Sequence, residues 1–319
     1  MTHLFGPVPS RRLGVSLGID PIPKKVCTLD CVYCEVAQTS FKTLERKEYI
    51  PADEILRELR EYLAADHVPL DFITFSGSGE PTLNSQLGKL IREIKKMTRV
   101  PVAVITNGTL LWRADVRQDL LAADLVMPSL DAASQKYFLK VNHPPKDLSI
   151  EQVIEGQIQF RQEYAGPIWL EILIVRNVND KVEEYRRLAE AVRKINPDRV
   201  QLNTVVRPPG HGRAQPVTRA ELEKLAAIIG PKAEIIASFN RETNKAYRRE
   251  IEAELEELLK IRACTLEELT ESIGVHRDEL LKYIELFRED GRLQEIQFEG
   301  KKYFKIPPET EWSEKGAVK

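Results

Sequence analysis

The stretch Cys27-Thr28-Leu29-Asp30-Cys31-Val32-Tyr33-Cys34 gathers three of the four cysteines of a 319-residue chain into eight residues. Three thiolates this close suit an iron-sulfur cubane, and thiolate is the soft ligand that such clusters select. The fourth iron is then left open to a substrate or cofactor. Structural zinc wants four ligands, usually as two short pairs, and no second Cys or His pair occurs in the chain. Intervals of three and then two residues would also line the thiols along one helix face, as three buried, inert cysteines. Thr28 and Asp30 argue against the packed apolar stripe which that needs. A disulfide framework is disfavoured in a long, cysteine-poor chain with an odd thiol elsewhere, Cys264.

Working outward, composition sets the frame. The length exceeds what one hydrophobic core usually serves, so one large domain plus a small one is expected. Apolar and charged fractions of 42% and 30% are those of a soluble globular protein, and a net charge of −2 says little about partners. The start, Met-Thr-His-Leu-Phe-Gly-Pro, has no targeting pattern, and there is no run of eighteen apolar residues. A cytoplasmic protein that does not engage membrane is expected, in a compartment that keeps thiols reduced.

Short runs rich in branched residues alternate with amphipathic stretches, the signature of a parallel sheet covered by helices. Six strands are expected at Leu13–Ile19, Phe72–Ser76, Val102–Thr106, Leu125–Leu130, Leu170–Val175 and Val200–Val206. Helices are expected at Ala52–Ala65, Ser85–Lys96, Ile150–Glu163, Val182–Ile195 and Arg219–Ile229. Thr218 with Glu221 has the form of a capping box, and Asp180 or Lys181 is placed to start the preceding helix.

Ligands in such α/β folds gather at the carboxyl ends of the strands. Those ends are polar and glycine-rich: Ser76-Gly77-Ser78-Gly79-Glu80 after the second strand, Thr106-Asn107-Gly108-Thr109 after the third, and Ser129-Leu130-Asp131 after the fourth. The fifth carries Glu171 and ends at Arg176; the sixth carries Asn203 and opens into Arg207-Pro208-Pro209-Gly210-His211-Gly212-Arg213. Each alone reads as an ordinary turn or a satisfied core amide. Their recurrence behind a three-cysteine loop favours a site.

Over roughly residues 1–240 the sequence resembles the radical S-adenosylmethionine superfamily. The cysteine loop matches its C-x3-C-x-aromatic-C pattern with Tyr33 in the aromatic place, and Gly77-Ser78-Gly79-Glu80 is similar to its Gly-Gly-Glu motif. Phe5–Gly14, Leu17–Asp20 and Gln201–Pro208 look like the Fe-S oxidoreductases grouped with wyosine synthetases. Those synthetases hold a second cluster, for which this chain has no second cysteine set.

The resemblance implies a partial (βα)6 barrel holding a 4Fe-4S cluster on Cys27, Cys31 and Cys34. S-adenosylmethionine would chelate the open iron and be cleaved reductively to methionine and a 5'-deoxyadenosyl radical, which takes hydrogen from a substrate. It further implies an oxidoreductase with an electron donor such as flavodoxin or ferredoxin; the substrate class, small molecule, RNA or protein, stays open. Glu80 between glycines would receive the methionine ammonium. Thr106 and Asn107 would meet its carboxylate or the ribose, Ser129 or Asp131 the ribose, and Tyr33 the adenine, with Asn203 also in the pocket. Arg11, Arg12, Arg176, Arg207, His211 and Arg213 ring the mouth and would suit an anionic substrate, or are solvated surface residues. His143, beside prolines, reads as a loop residue.

Residues 241–250 read as a linker, 251–306 as a small winged-helix domain and 307–319 as a tail. Gly274 falls at the turn between helices, and Leu293–Ile306 has the alternation of a two-stranded wing. Cys264 reads as a buried small residue. Residues 251–306 carry 14 acidic and 9 basic side chains, a balance of −5 that disfavours DNA, although Lys301, Lys302 and Lys305 leave a basic wing that could touch RNA. An iron-sulfur-sensing regulator is the alternative from another class, and modification of a tRNA base is a subcase of the enzyme.

Overall fold

The row Ile19, Phe75, Val104 and Val126 runs straight across four neighbouring parallel strands, and every member is fully buried. This computed structural model describes residues 3–10, 12–36, 38–65, 68–206, 209, 214–237, 249–273, 275, 277–298 and 301–307. In chain order the elements are β1 (Leu4–Ser10), β2 (Gly14–Ile19), β3 (Val26–Cys27), β4 (Phe41–Lys42), α1 (Ala52–Ala64), β5 (Phe72–Phe75), α2 (Leu87–Met97), β6 (Val102–Thr106), α3 (Ala114–Leu120) and β7 (Leu125–Pro128). There follow α4 (Gln135–Val141), α5 (Ile150–Glu163), β8 (Trp169–Ile174), α6 (Val182–Ile195), β9 (Arg199–Thr204), α7 (Arg219–Ile229) and β10 (Ala233–Ile235). The chain continues through α8 (Arg249–Ile261), α9 (Leu266–Ile273), α10 (Arg277–Glu289), β11 (Gln294–Phe298) and β12 (Lys301–Lys305).

One sheet has the order β1-β2-β5-β6-β7 and another β10-β9-β8. Parallel bridges Val126 to Ile168 and Ser129 to Glu171 join β7 to the start and body of β8. The strands from β2 to β9 are parallel throughout, an open barrel wall with all carboxyl ends at one rim. All six expected strands are present. The edge strand β1, antiparallel to β2, is not among the expected strands; it carries Pro7 and Pro9, whose missing donors an edge strand tolerates.

The helices dock by the spacing of their apolar residues. α1 buries Ile55, Leu56 and Leu59, and α2 buries Leu87, Leu90, Ile91 and Ile94, in the core that also takes Ile19, Phe75 and Val104. Full burial of each such side chain contributes about 1.5–3 kcal/mol. The capping box forms at the start of α7, where Thr218 Oγ1 accepts from the Glu221 amide at 3.3 Å. At α6 the cap position is Lys181 and its side chain makes no cap bond. Asp180 instead accepts from the Asn177 amide at 2.7 Å, which holds the loop rather than the helix end.

The helices α8 to α10 and the β11–β12 hairpin enclose a separate core of Leu255, Leu259, Cys264, Leu280, Tyr283, Phe287 and Phe304. Polar bonds join them to the barrel: Arg277 Nη2 donates to Glu35 O at 2.9 Å, the Gly6 amide to Glu279 Oε2 at 3.1 Å, and Arg288 Nη1 to Val206 O at 3.0 Å. Gly274, most of 241–250 and all of the tail but Ile306's neighbour Pro307 lie outside the described residues. Among the described residues no helix is long and apolar enough to cross a membrane.

Candidate active site

Cys27 ends the short strand β3, whose parallel partner β4 closes a loop around Cys31 and Cys34. The helix that would line the thiols along one face does not form; Cys31 and Cys34 instead lie in a tight turn, with the Cys34 amide donating to Cys31 O at 3.0 Å. The loop is fixed from both sides. Asp30 and Val32 donate to Asn142 O and Val141 O at the end of α4, and the Glu80 amide donates to Val26 O at 3.1 Å.

That second attachment explains the Gly-Ser-Gly run after β5. A Cβ on Gly79 would lie 2.1 Å from Val26 O, and one on Gly77, at φ +135°, would lie 2.3 Å from the Asp20 carboxyl carbon. Ser78 spends its amide (2.9 Å) and hydroxyl (2.5 Å) on Asp20, so its side chain ties β5's loop to β2.

Glu80 is 2% exposed and held by four donors. Its Oε1 accepts from the Thr82 amide (3.1 Å), Thr82 Oγ1 (2.6 Å) and Thr106 Oγ1 (2.6 Å), while Oε2 accepts from the Asn107 amide at 2.8 Å. Burial raises its pKa, and the bonds from Thr106, Thr82 and Asn107 draw it back. Thr106 holds Glu80 through its hydroxyl. A carboxylate offers about four lone-pair positions, so Oε2, with one donor, keeps capacity for another.

Each cysteine sulfur receives an N–H from a different segment. Asn107 Nδ2 lies 3.6 Å from Cys27 Sγ, Asn142 Nδ2 lies 3.3 Å from Cys31 Sγ, and Lys25 Nζ lies 3.2 Å from Cys34 Sγ. Asn107 also donates to Thr28 Oγ1 at 2.7 Å and accepts from Thr109 Oγ1 at 2.6 Å, so its amide is oriented by the loop it follows. Although the thiols show some surface, they lie deep. Burial, then Glu80, pushes Cys27 up to about 12, and burial, then Asp131, raises Cys31 well above its ordinary value. Such thiols ionise when metal replaces the proton.

No three Cys, His, Asp or Glu side chains among the described residues converge on one point as a single-ion cage. A cubane makes no such demand, since each thiolate takes its own iron. Three free thiols, each with an N–H donor from a separate segment, fit that group.

Asp131 and Tyr33 bond to each other beside the cysteine turn. Tyr33 OH donates to Asp131 Oδ2 at 2.5 Å, Asn142 Nδ2 to the same oxygen at 2.7 Å, and the Leu173 amide to Oδ1 at 2.9 Å. Burial lifts Asp131 to about 6 against the pull of these donors. Asn107, Ser129, Asp131 and Asn142 line one small pocket with Leu29 and Phe138. A larger cavity, about 420 Å³, opens beside the cysteine loop between Asp20, Lys24, Ser78 and the C-terminal residues Thr270 and Arg277.

Two of the arginines expected at the mouth have partners within the fold. Arg12 pairs with Glu171 Oε2, whose Oε1 accepts from Asn203 Nδ2 at 2.9 Å, a relay across β8 and β9 that balances charge internally. Arg176 donates to Pro216 O at 2.8 Å and lies 3.7 Å from Glu221, facing the start of α7. Arg11, Arg207, His211 and Arg213 lie outside the described residues. His143 is exposed at φ 46°, and Cys264 is buried against Phe304 with its thiol pKa raised by burial. The residues not anticipated were Lys25, Asn142, Asp20 and the threonines 28, 82 and 109; only the threonines, flanking motif residues, carried a local signal.

A parallel barrel wall with three thiols and a buried carboxylate at its carboxyl rim defines an iron-sulfur enzyme class. Residues 22–189, more than half of the chain, match the radical SAM superfamily. A UPF0026 protein of Methanocaldococcus jannaschii is 33% identical over 95% of this chain and 96% of its own. The GTPase Obg of Brachyspira hyodysenteriae is 44% identical over 70% of this chain, but this chain spans only 32% of that protein. The crystal structure of a radical SAM methyltransferase from Sphaerobacter thermophilus superposes with a TM-score of 0.55 at 17% identity, covering 72% of this chain and 69% of that one, a likeness of fold. The chain belongs to the radical SAM superfamily and, within it, to the UPF0026 proteins. It is an enzyme of the kind that uses a 4Fe-4S cluster and S-adenosylmethionine.

Proposed function

We propose that Cys27, Cys31 and Cys34 hold the cluster and that this enzyme cleaves S-adenosylmethionine reductively to start a hydrogen abstraction. The observation that carries the reading is a side-chain N–H donor on each of three free thiols, set against the buried Glu80. When bound, cluster and S-adenosylmethionine supply a 5'-deoxyadenosyl radical and methionine.

The chain's own residues do the positioning. Glu80 keeps one acceptor position on Oε2 for an ammonium, and Thr82, Thr106 and the Asn107 amide hold it at a fixed angle. Ser129, in the pocket with Asn107, is placed to meet the nucleoside, while Asp131 and Tyr33 brace the cysteine turn. An anionic substrate would be met by residues from the set Arg11, Arg12, Arg176, Arg207, His211 and Arg213, two of which, Arg12 and Arg176, also bond within the fold. The segment from α8 to β12 is read as a winged-helix domain that docks a protein or substrate, and the electron comes from a donor such as flavodoxin or ferredoxin.

The test is anaerobic loading with iron and sulfide, then dithionite and S-adenosylmethionine, with 5'-deoxyadenosine read by mass spectrometry. Cys31→Ala should abolish the nucleoside; its continued production by that variant would refute the cluster assignment.

A further inference from the structure

Lys25 stands two residues before the first cysteine and is 5% exposed. A buried ammonium is costly unless it has a partner of opposite charge. Here the hydrogen-bond partner is the Cys34 sulfur, 3.2 Å from Nζ. The backbone that presents it is fixed: at φ 64° its amide donates to Ser78 O at 3.0 Å, and its carbonyl accepts from the Phe41 amide and Ser40 Oγ, both at 3.2 Å. The left-handed conformation is uncommon for a lysine and persists because bonds on both sides impose it.

We propose that Lys25 is a positioning residue that sets the reduction potential of the cluster by placing a fixed positive charge against the Cys34 thiolate. This rests on the assignment of the three cysteines above. Reduction adds one electron to an already negative cluster in a poorly solvated site. A cation at hydrogen-bond distance from a ligand sulfur favours the reduced form, and net charge and hydrogen bonds to sulfur are the levers proteins use on such potentials. Asn107 and Asn142 supply neutral donors to the other two sulfurs; Lys25 supplies the charged one.

The experiment is an anaerobic redox titration of the reconstituted full chain, followed by electron paramagnetic resonance, with iron and sulfide counted for each sample. At the potential where the native cluster is half reduced, Lys25→Met should hold about tenfold less reduced over oxidised cluster, equivalent to about 59 mV for one electron. Lys25→Arg should titrate near the native position and Lys25→Gln between the two, while the exposed neighbour variant Lys24→Met should not move it. Native midpoints in fully loaded Met and Gln variants would overturn the proposal. So would failure of all three Lys25 variants to load iron, since packing alone would then account for the residue. Loading by Arg but not by Met or Gln would support the need for charge. If the native protein itself takes up no cubane, the cysteine assignment fails instead.

Discussion

The Asn142 carboxamide donates to the Cys31 sulfur, 111 residues away in sequence, at 3.3 Å and to the Asp131 carboxylate at 2.7 Å, joining a metal-ligand candidate to the end of the fourth parallel strand. Both acceptors are buried or nearly so, and each would lose a donor at once if the amide were removed. Asn142→Ala should cost about 1–3 kcal/mol of stability, read as a shift in the urea midpoint, and should lower iron retention of the loaded protein. A midpoint and iron content equal to those of the native chain would show that neither contact matters.

Asp131 makes an unusual pH dependence. Its folded pKa, lifted to about 6 by burial, exceeds the ordinary value of 3.8, so between those limits the folded state binds more protons than the unfolded. Its contribution to stability therefore falls as pH rises from about 4 to about 6 and is constant above that, opposite to a salt-bridged carboxylate. The change is on the order of 3 kcal/mol at most. Comparing native and Asp131→Asn proteins by denaturant titration at pH 4.5 and 6.5 should show the native losing stability relative to the variant at the higher pH.

Gly79 admits no side chain. With Val26 O only 2.1 Å from where a Cβ would stand, Gly79→Ala must push the Glu80 loop off the cysteine loop. A loss of about 1–3 kcal/mol is expected from the overpacking, and nucleoside production should fall more than stability does, because Glu80 and Cys27 move apart. Thermal melting and the 5'-deoxyadenosine assay together separate the two effects.

Arg12 and Glu171 are both largely shielded, at 16% and 14% side-chain exposure, so removing either takes the opposite charge from beside the other. Arg12→Met should destabilise by about 1–3 kcal/mol, less than for a fully buried pair. The double variant Arg12→Met with Glu171→Gln should recover part of that loss. A double-mutant cycle with zero coupling would contradict the pairing.

How much of this was legible in the chain can be argued from single residues. The strand rows were readable because Phe75, Val104 and Val126 belong to runs buried on both faces, and local composition encodes that burial. α7's start was readable because a capping box is made by residues three apart. The cysteine trio was readable because its three members fall within eight residues. The internal partners of Arg12 and Arg176 were not readable, since Glu171 and Pro216 O are distant in sequence and come up beside them only in the fold.

The amino-acid sequence alone determined the thiol trio, the parallel strands and the polar rim, because each depends on spacing or periodicity within some ten residues. Only the tertiary structure decided which polar groups remain available. Thr106 bonds Glu80, Ser78 bonds Asp20, Asp131 bonds Tyr33, and Lys25 and Asn142 reach the sulfurs, because buried polar atoms must find partners and most of these come from segments far apart in the chain.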